Sequence, residues 1–195
     1  MSSSGSLFDV ELPEGFSYRD DFLTVEEEAS LVDAISRIEF STFEMRGVAA
    51  RRRVAFFGRT YDAGAAPARP LPASLMPLRE RAAAWAGVEP DAFAMALVNE
   101  YPPGAPIGWH RDAPQYGLVA GVSLLSACRM KLRPYVRPGT RSAEAGGRRI
   151  STHEITLQRR SGYVMAGEAR NAYEHHIPAV TALRYSITFR TVRDK

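Results

Sequence analysis

Apolar positions fall into two textures along this chain, and the change comes near Ala94. Before it, Val25, Ala29, Val32 and Ile35 recur at helical intervals. Thr24-Val25-Glu26-Glu27 has the spacing of a capping box, so the pattern predicts a helix from Val25 that ends near Phe40. Ser74 is placed to cap a second helix, running through Trp85 and stopping at Gly87. A short strand is expected over Phe16–Phe22. Phe43–Tyr61 mixes β-formers with Arg51-Arg52-Arg53 and Phe56-Phe57 and reads as a hairpin with the arginines near a turn. After Ala94 the apolar residues come in short runs. They predict strands near 94–101, 107–111, 118–125, 128–136, 150–157, 162–166, 173–177 and 183–192, the spacing of an all-β barrel or sandwich. Residues 1–6 are polar and read as a frayed end. Asp62–Pro72 and Arg137–Gly147 are rich in Gly, Ala, Pro or charge and read as loops.

Composition changes this picture little. The 195 residues are 45% hydrophobic and 24% charged, the balance of an ordinary globular chain, and the length suits one domain with a real core. A helical part over 1–93 would precede a β core over about 94–192. The net charge of +3 permits an anionic partner without demanding one. Cys128 has no second cysteine to pair with, no stretch is long and apolar enough to span a membrane, and the N-terminus lacks the pattern of an export signal. A cytoplasmic location is expected, with no obligate protein partner evident.

Candidate chemistry sits in three segments. The first is Asn99–Asp112, NEYPPGAPIGWHRD. In an extended strand, residues two apart share a side. Asn99 with Tyr101, and His110 with Asp112, are therefore placed to offer an amide, a phenol, an imidazole and a carboxylate to one cavity. The second is Tyr173–Pro178 (YEHHIP), where Tyr173, His175 and Ile177 share the more apolar face, which favours His175 over His176 as the inward histidine. Two histidines and one carboxylate occupy one face of an octahedral Fe(II) and leave positions open. Read alone, His110-Arg111-Asp112 is more often a surface histidine beside a solvated aspartate than a metal pair, although Trp109 speaks against full exposure. The third is Arg184–Arg190, RYSITFR. One strand face carries Arg184, Ser186, Thr188 and Arg190, and the other Tyr185, Ile187 and Phe189. If the apolar face packs on the helices, the arginine face lines a cavity suited to a dicarboxylate, because a guanidinium grips a carboxylate bidentately. The plainer alternative is a strand with solvent-exposed arginines.

Together these segments resemble the signature of the AlkB-type Fe(II)/2-oxoglutarate-dependent dioxygenases. The likeness runs through Asn99-x-Tyr101, Gly108-Trp109-His110-x-Asp112, Gly121-Val122-Ser123-Leu124, Gly167-x-Ala169-Arg170, His175-x-Ile177-Pro178 and Arg184-Tyr185-Ser186-x-Thr188-Phe189-Arg190. It implies a mainly β fold with flanking helices and a double-stranded β-helix (jelly-roll) core. It implies Fe(II) held by His110, Asp112 and His175. Asn99, Tyr101, Arg184 and Arg190 match the co-substrate residues, with Arg184 facing the distal carboxylate of 2-oxoglutarate. Such enzymes couple decarboxylation of 2-oxoglutarate by O2 to hydroxylation of a C–H bond; where that carbon sits on nitrogen, formaldehyde leaves and a demethylated amine remains.

The implied substrate is alkylated DNA or RNA, with Arg52, Phe56, Tyr61 and Trp109 as candidate substrate residues around a lid formed by Arg51–Tyr61. One position departs from the pattern. Repair members often carry an acidic residue two positions after the metal aspartate, and here that position is Pro114. Two other readings remain open at this stage: the same oxygenase chemistry on a protein side chain or small molecule, and a jelly-roll binding module without turnover.

Overall fold

The last strand of the chain, Arg184–Val192, is the centre of the larger of two antiparallel sheets. The computed structural model describes residues 12–45, 48–59, 69–137 and 151–193. Along these run β1 (Phe16–Arg19), α1 (Val25–Ser36), β2 (Ser41–Met45), β3 (Val48–Gly58), α2 (Met76–Ala86), β4 (Phe93–Tyr101), β5 (Ile107–His110) and β6 (Tyr116–Leu124). They continue with β7 (Cys128–Pro134), β8 (His153–Leu157), β9 (Gly162–Met165), α3 (Gly167–Asn171), β10 (Tyr173–Ile177) and β11 (Arg184–Val192). The larger sheet has the order β1-β9-β6-β11-β4-β3-β2, and the smaller one β5-β10-β7-β8. This is a jelly-roll arrangement with helices on one face. The expected end 1–6, most of the expected loops at 62–72 and 137–147, and Tyr61 lie outside the described residues.

Strand alternation decides what each face of β11 meets. Tyr185, Ile187 and Phe189 belong to an apolar cluster that includes Leu31, Ile35, Leu78 and Ala82 of the two long helices. The opposite face, Arg184, Ser186, Thr188 and Arg190, is also buried, and it looks toward the smaller sheet. A second cluster, with Val119, Met130, Leu132, Leu157 and Ile177, joins the two sheets. At Gly121 of β6 the ring of Tyr163 passes 2.3 Å from where a Cβ would sit, so no larger residue fits without moving that ring.

Several local expectations are corrected. Helix α1 begins with the expected capping box, Glu27 N–H to Thr24 Oγ1 at 3.2 Å and Thr24 N–H to Glu27 Oε2 at 2.9 Å. It ends at Ser36, four residues early, because Ile38 and Phe40 turn toward the apolar cluster and the chain enters β2. β1 stops at Arg19, since Asp21 takes a left-handed φ of 45° and the chain turns there. Arg51–Arg53 lie well inside β3, beyond the Met45–Val48 pair of its ladder with β2, so alternation separates them. Arg53 turns out to Glu100, with guanidinium–carboxylate bonds of 2.8 and 2.9 Å, whereas Arg52 turns inward.

Glu28 shows how α1 is locked to the sheet. On sequence it is one of three consecutive acids on a helix, yet it is only 1% exposed. Its Oε1 accepts the Leu125 N–H at 2.8 Å and its Oε2 the Arg159 Nε–H at 2.6 Å. Leu125 needs this partner because it sits at a φ of 69°, at the turn where β6 ends. Glu28→Ala strands a buried amide and should cost about 1–3 kcal/mol in chemical denaturation. Wild-type stability in that variant would show that the lock contributes nothing.

Candidate active site

β4 and β11 together build one end of a cavity of about 600 Å³ between the sheets. Arg184 lies opposite Tyr101 and Ser186 opposite Asn99 in the β4–β11 register. The even spacing on each strand sends all four side chains to the same side. Arg184 is 1% exposed and lies over the Tyr101 ring, 5.1 Å from its centroid. It donates from Nη2 to Ser123 Oγ at 2.8 Å, while its Nε and Nη1 have no partner. Buried guanidinium donors are rarely left open, so this end is made for an anion. Asn99 donates from Nδ2 to Ser186 Oγ at 3.4 Å and leaves Oδ1 unpaired. With the amide turned over, the same residue presents a donor to a carboxylate. Burial raises the Tyr101 phenol despite the nearby Arg184 and Arg52, so it keeps its proton as a donor.

The other end carries the imidazoles. His110 of β5 and His175 of β10 are direct cross-strand partners with ring centroids 4.2 Å apart. His110 Nδ1 lies 2.9 Å from Gly108 O. A carbonyl only accepts, so Nδ1 carries the hydrogen and Nε2 keeps a free lone pair. Asp112 sits just past β5, and its Oδ1 takes both Arg190 Nε (3.0 Å) and Nη2 (2.7 Å), which leaves Oδ2 for another partner. Among the described residues no three His, Cys, Asp or Glu side chains close around a single point. The donor chemistry nevertheless fits Fe(II): two neutral imidazoles and one ionised carboxylate in one cavity, with open positions beyond them.

Electrostatics hold these groups in ligand-ready states. Burial, then the neighbouring His110, pull His175 down to about 3, and burial lowers His110 as well. Burial alone would raise Asp112, but the Arg190 guanidinium beside it outweighs that and keeps the carboxyl well below the usual range. The metal-free protein should therefore lose stability as the pH falls. Below about pH 6.5 an unfolded chain protonates its histidines while folded His175 resists, so the unfolded state binds more protons. The slope is at most about 1.4 kcal/mol per pH unit per group. Denaturation in chelator between pH 7 and 4.5 should show it, with a shallower slope in His175→Leu; equal slopes would remove His175 as its source.

Among the expected substrate residues, Arg52 and Phe56 of β3 line the cavity. Trp109 does not. Alternation along β5 puts it on the far side from His110, where it packs on His176 at 5.2 Å and lies under Arg133. His176 faces that same outer side, with its Nδ1–H donated to Ile107 O at 2.5 Å. Arg170 was not among the expected site residues. From α3 it donates through Nη2 to the carbonyls of Ala113 (2.9 Å) and Tyr116 (2.8 Å), fixing the turn that follows Asp112. The motif Gly167-x-Ala169-Arg170 was the available signal, but nothing local in it shows where Arg170 points. Gln115, Tyr116 and Tyr163 also reach the cavity.

Comparison with known proteins agrees with this geometry. A sequence model of the 2OG-Fe(II) oxygenase superfamily matches residues 15–190. An alkylated DNA repair protein ALKBH8 homolog from Arabidopsis thaliana is 29% identical over 191 residues, covering 89% of this chain. The chain spans about half that relative's length (54%). Among solved structures, OsALKBH1 superposes with a TM-score of 0.68 at 14% identity, covering 93% of this chain and all of that one. A 2OG-Fe(II) oxygenase family oxidoreductase from Burkholderia pseudomallei gives 0.64 at 18% identity, with 93% and 86% of the two chains covered. A Pseudomonas putida prolyl-4-hydroxylase gives 0.59 at 15%, with 92% and 93% covered. At such identities the structural likeness speaks for the fold. The superfamily's chemistry uses Fe(II), 2-oxoglutarate and O2, and no helix among the described residues is long and apolar enough to cross a membrane. This chain belongs to the 2OG-Fe(II) oxygenase superfamily.

Proposed function

We propose that this oxygenase removes alkyl groups from nucleobases in DNA or RNA by oxidation. The observation that carries the reading is a single cavity holding a two-histidine, one-carboxylate set beside open guanidinium donors, with Phe56, Tyr116 and Tyr163 leaving a flat ring something to lie against. The name of the Arabidopsis relative supports the choice of nucleobase over other substrates. Cavity size, about 600 Å³, suits a co-substrate and one extruded base.

His110, Asp112 and His175 would hold Fe(II), and Arg184 with Asn99 and Tyr101 would hold the distal carboxylate of 2-oxoglutarate. When bound, this pair supplies the oxidation: one oxygen atom of O2 ends in succinate as CO2 is lost, and the other in the N-methyl C–H bond. Arg190 keeps the Asp112 carboxylate ionised and oriented through two bonds to one oxygen. Arg170 holds the backbone beyond it. Apolar lining from Val54, Leu97, Met130 and Ile177 keeps bulk water from the reacting carbon. The resulting N-hydroxymethyl group loses formaldehyde as its C–N bond breaks: the electron pair stays on the ring nitrogen and the hydroxyl proton passes to that nitrogen in a neutral base or to solvent in a cationic one.

The test is succinate and formaldehyde production across methylated oligonucleotides with unmethylated controls. Methylated strands should raise both products in step. An enzyme that binds iron and 2-oxoglutarate but releases no formaldehyde from any of them would overturn the nucleobase reading.

A further inference from the structure

Once the metal and co-substrate residues are assigned, the polar side chains left in the described lining include Arg52 and Gln115, with Arg111 at the edge and hydroxyls from Tyr116 and Tyr163. Building on the nucleobase reading, we infer that the site selects uncharged N-alkylated bases that present carbonyl oxygens, the N3-methylated thymine and uracil class, over bases that methylation has made cationic.

Charge is the first reason. Asp112 is the one carboxylate among the described lining residues, and Arg190 already engages it. A bound metal dication and a 2-oxoglutarate dianion cancel, so loading the site supplies no net negative charge for a cationic base. The turn that follows the metal aspartate, Ala113-Pro114-Gln115, offers none either. Arg52 adds positive charge where the base must sit. It reaches in from β3 and lines the same cavity as His110 and Tyr101.

Hydrogen-bond polarity is the second reason. A guanidinium only donates. N3-methylthymine and N3-methyluracil flank the methylated nitrogen with two carbonyl acceptors. N1-methyladenine carries an amino donor beside its methylated nitrogen and a positive charge, and N3-methylcytosine has an amino donor on one side. Arg52 therefore meets an acceptor in the neutral bases and a like-charged donor in the cationic ones. The Gln115 amide accepts as well as donates, so it complements the remaining edge of a neutral ring without adding charge.

The experiment uses iron- and 2-oxoglutarate-loaded enzyme and four single-stranded oligonucleotides that differ only in one base: N3-methylthymine, N3-methyluracil, N1-methyladenine or N3-methylcytosine. The readout is the neutral-to-cationic ratio of formaldehyde release within each preparation, so a partial loss of folded protein cancels. Binding of the same strands to enzyme with Mn(II) in place of Fe(II), followed by fluorescence anisotropy, gives a second readout without turnover. In wild type the neutral bases should lead by about tenfold or more. Arg52→Glu and Gln115→Glu should each move the ratio about tenfold toward the cationic bases in both readouts. Equal or faster turnover of the cationic bases by wild type overturns the inference and leaves the nucleobase reading standing. A ratio unmoved in both variants overturns the assignment to Arg52 and Gln115. Formaldehyde from none of the four overturns both readings together.

Discussion

Alanine at His110, Asp112 or His175 should each reduce turnover by at least about a hundredfold, more than the loss typical of a residue that only supports a metal ligand. Each change removes one of three donors, and the remaining two leave a weaker site in which the open positions are no longer fixed. The three losses should look alike in activity and differ in cause. Asp112→Ala also strands Arg190, which is 8% exposed and bonds Asp112 through two nitrogens, so this variant should lose stability as well as metal. His175→Ala removes a neutral ring that folding holds uncharged, so it should cost less stability. His176→Ala should keep its metal, because that ring lies on the outer face against Trp109. Equilibrium binding of Mn(II) to the four variants measures this. Metal retained in His175→Ala and lost in His176→Ala would reverse the inward and outward assignments on β10.

The second large effect is expected at Arg184. Its alanine variant should need at least about thirtyfold more 2-oxoglutarate, since truncating one partner of a buried charge pair costs about 2–5 kcal/mol. Two open donors, Nε and Nη1, are what the co-substrate would satisfy, and the third is already committed to Ser123. Arg184→Lys should recover little, because a single ammonium cannot bond Ser123 and grip a carboxylate in the fork geometry at once. Arg190 differs. Its side chain is committed to Asp112 and to Thr188 Oγ1 at 2.7 Å, so Arg190→Ala should disturb metal affinity more than 2-oxoglutarate affinity. Calorimetry of 2-oxoglutarate on Mn(II)-loaded protein separates the two. Unchanged affinity in Arg184→Ala would remove the assignment.

Much of this site was legible because strand alternation is a strict rule. Residues two apart on β4 and β11 had to share a side once those segments were strands, and the apolar opposite face of β11 set which side was the interior. The same rule, carried one residue further, places Trp109 on the outer face; its bulk suggested burial, and it is half-buried there against His176 and Arg133. The three arginines at 51–53 misled for a related reason. A charge run suggests a turn, yet on an inner-sheet strand one of the three turns inward and another meets Glu100 across the register. What stayed hidden depends on contacts between residues distant in sequence. Glu28 looks like any exposed helix acid until Leu125 and Arg159 arrive from the β6–β7 turn and the segment before β9. Arg170 sits on a five-residue helix too short to leave a periodic trace, and its partners lie more than fifty residues earlier.

Anomalous diffraction from crystals grown with Mn(II) and 2-oxoglutarate would show directly where both groups bind. The expected map has one metal peak coordinated by His110 Nε2, Asp112 Oδ2 and a ring nitrogen of His175. It also has the distal carboxylate of 2-oxoglutarate on the Arg184 guanidinium, between Tyr101 and Asn99. A metal peak outside this cavity, or a co-substrate whose distal carboxylate leaves Arg184 Nε and Nη1 without a partner, would contradict it.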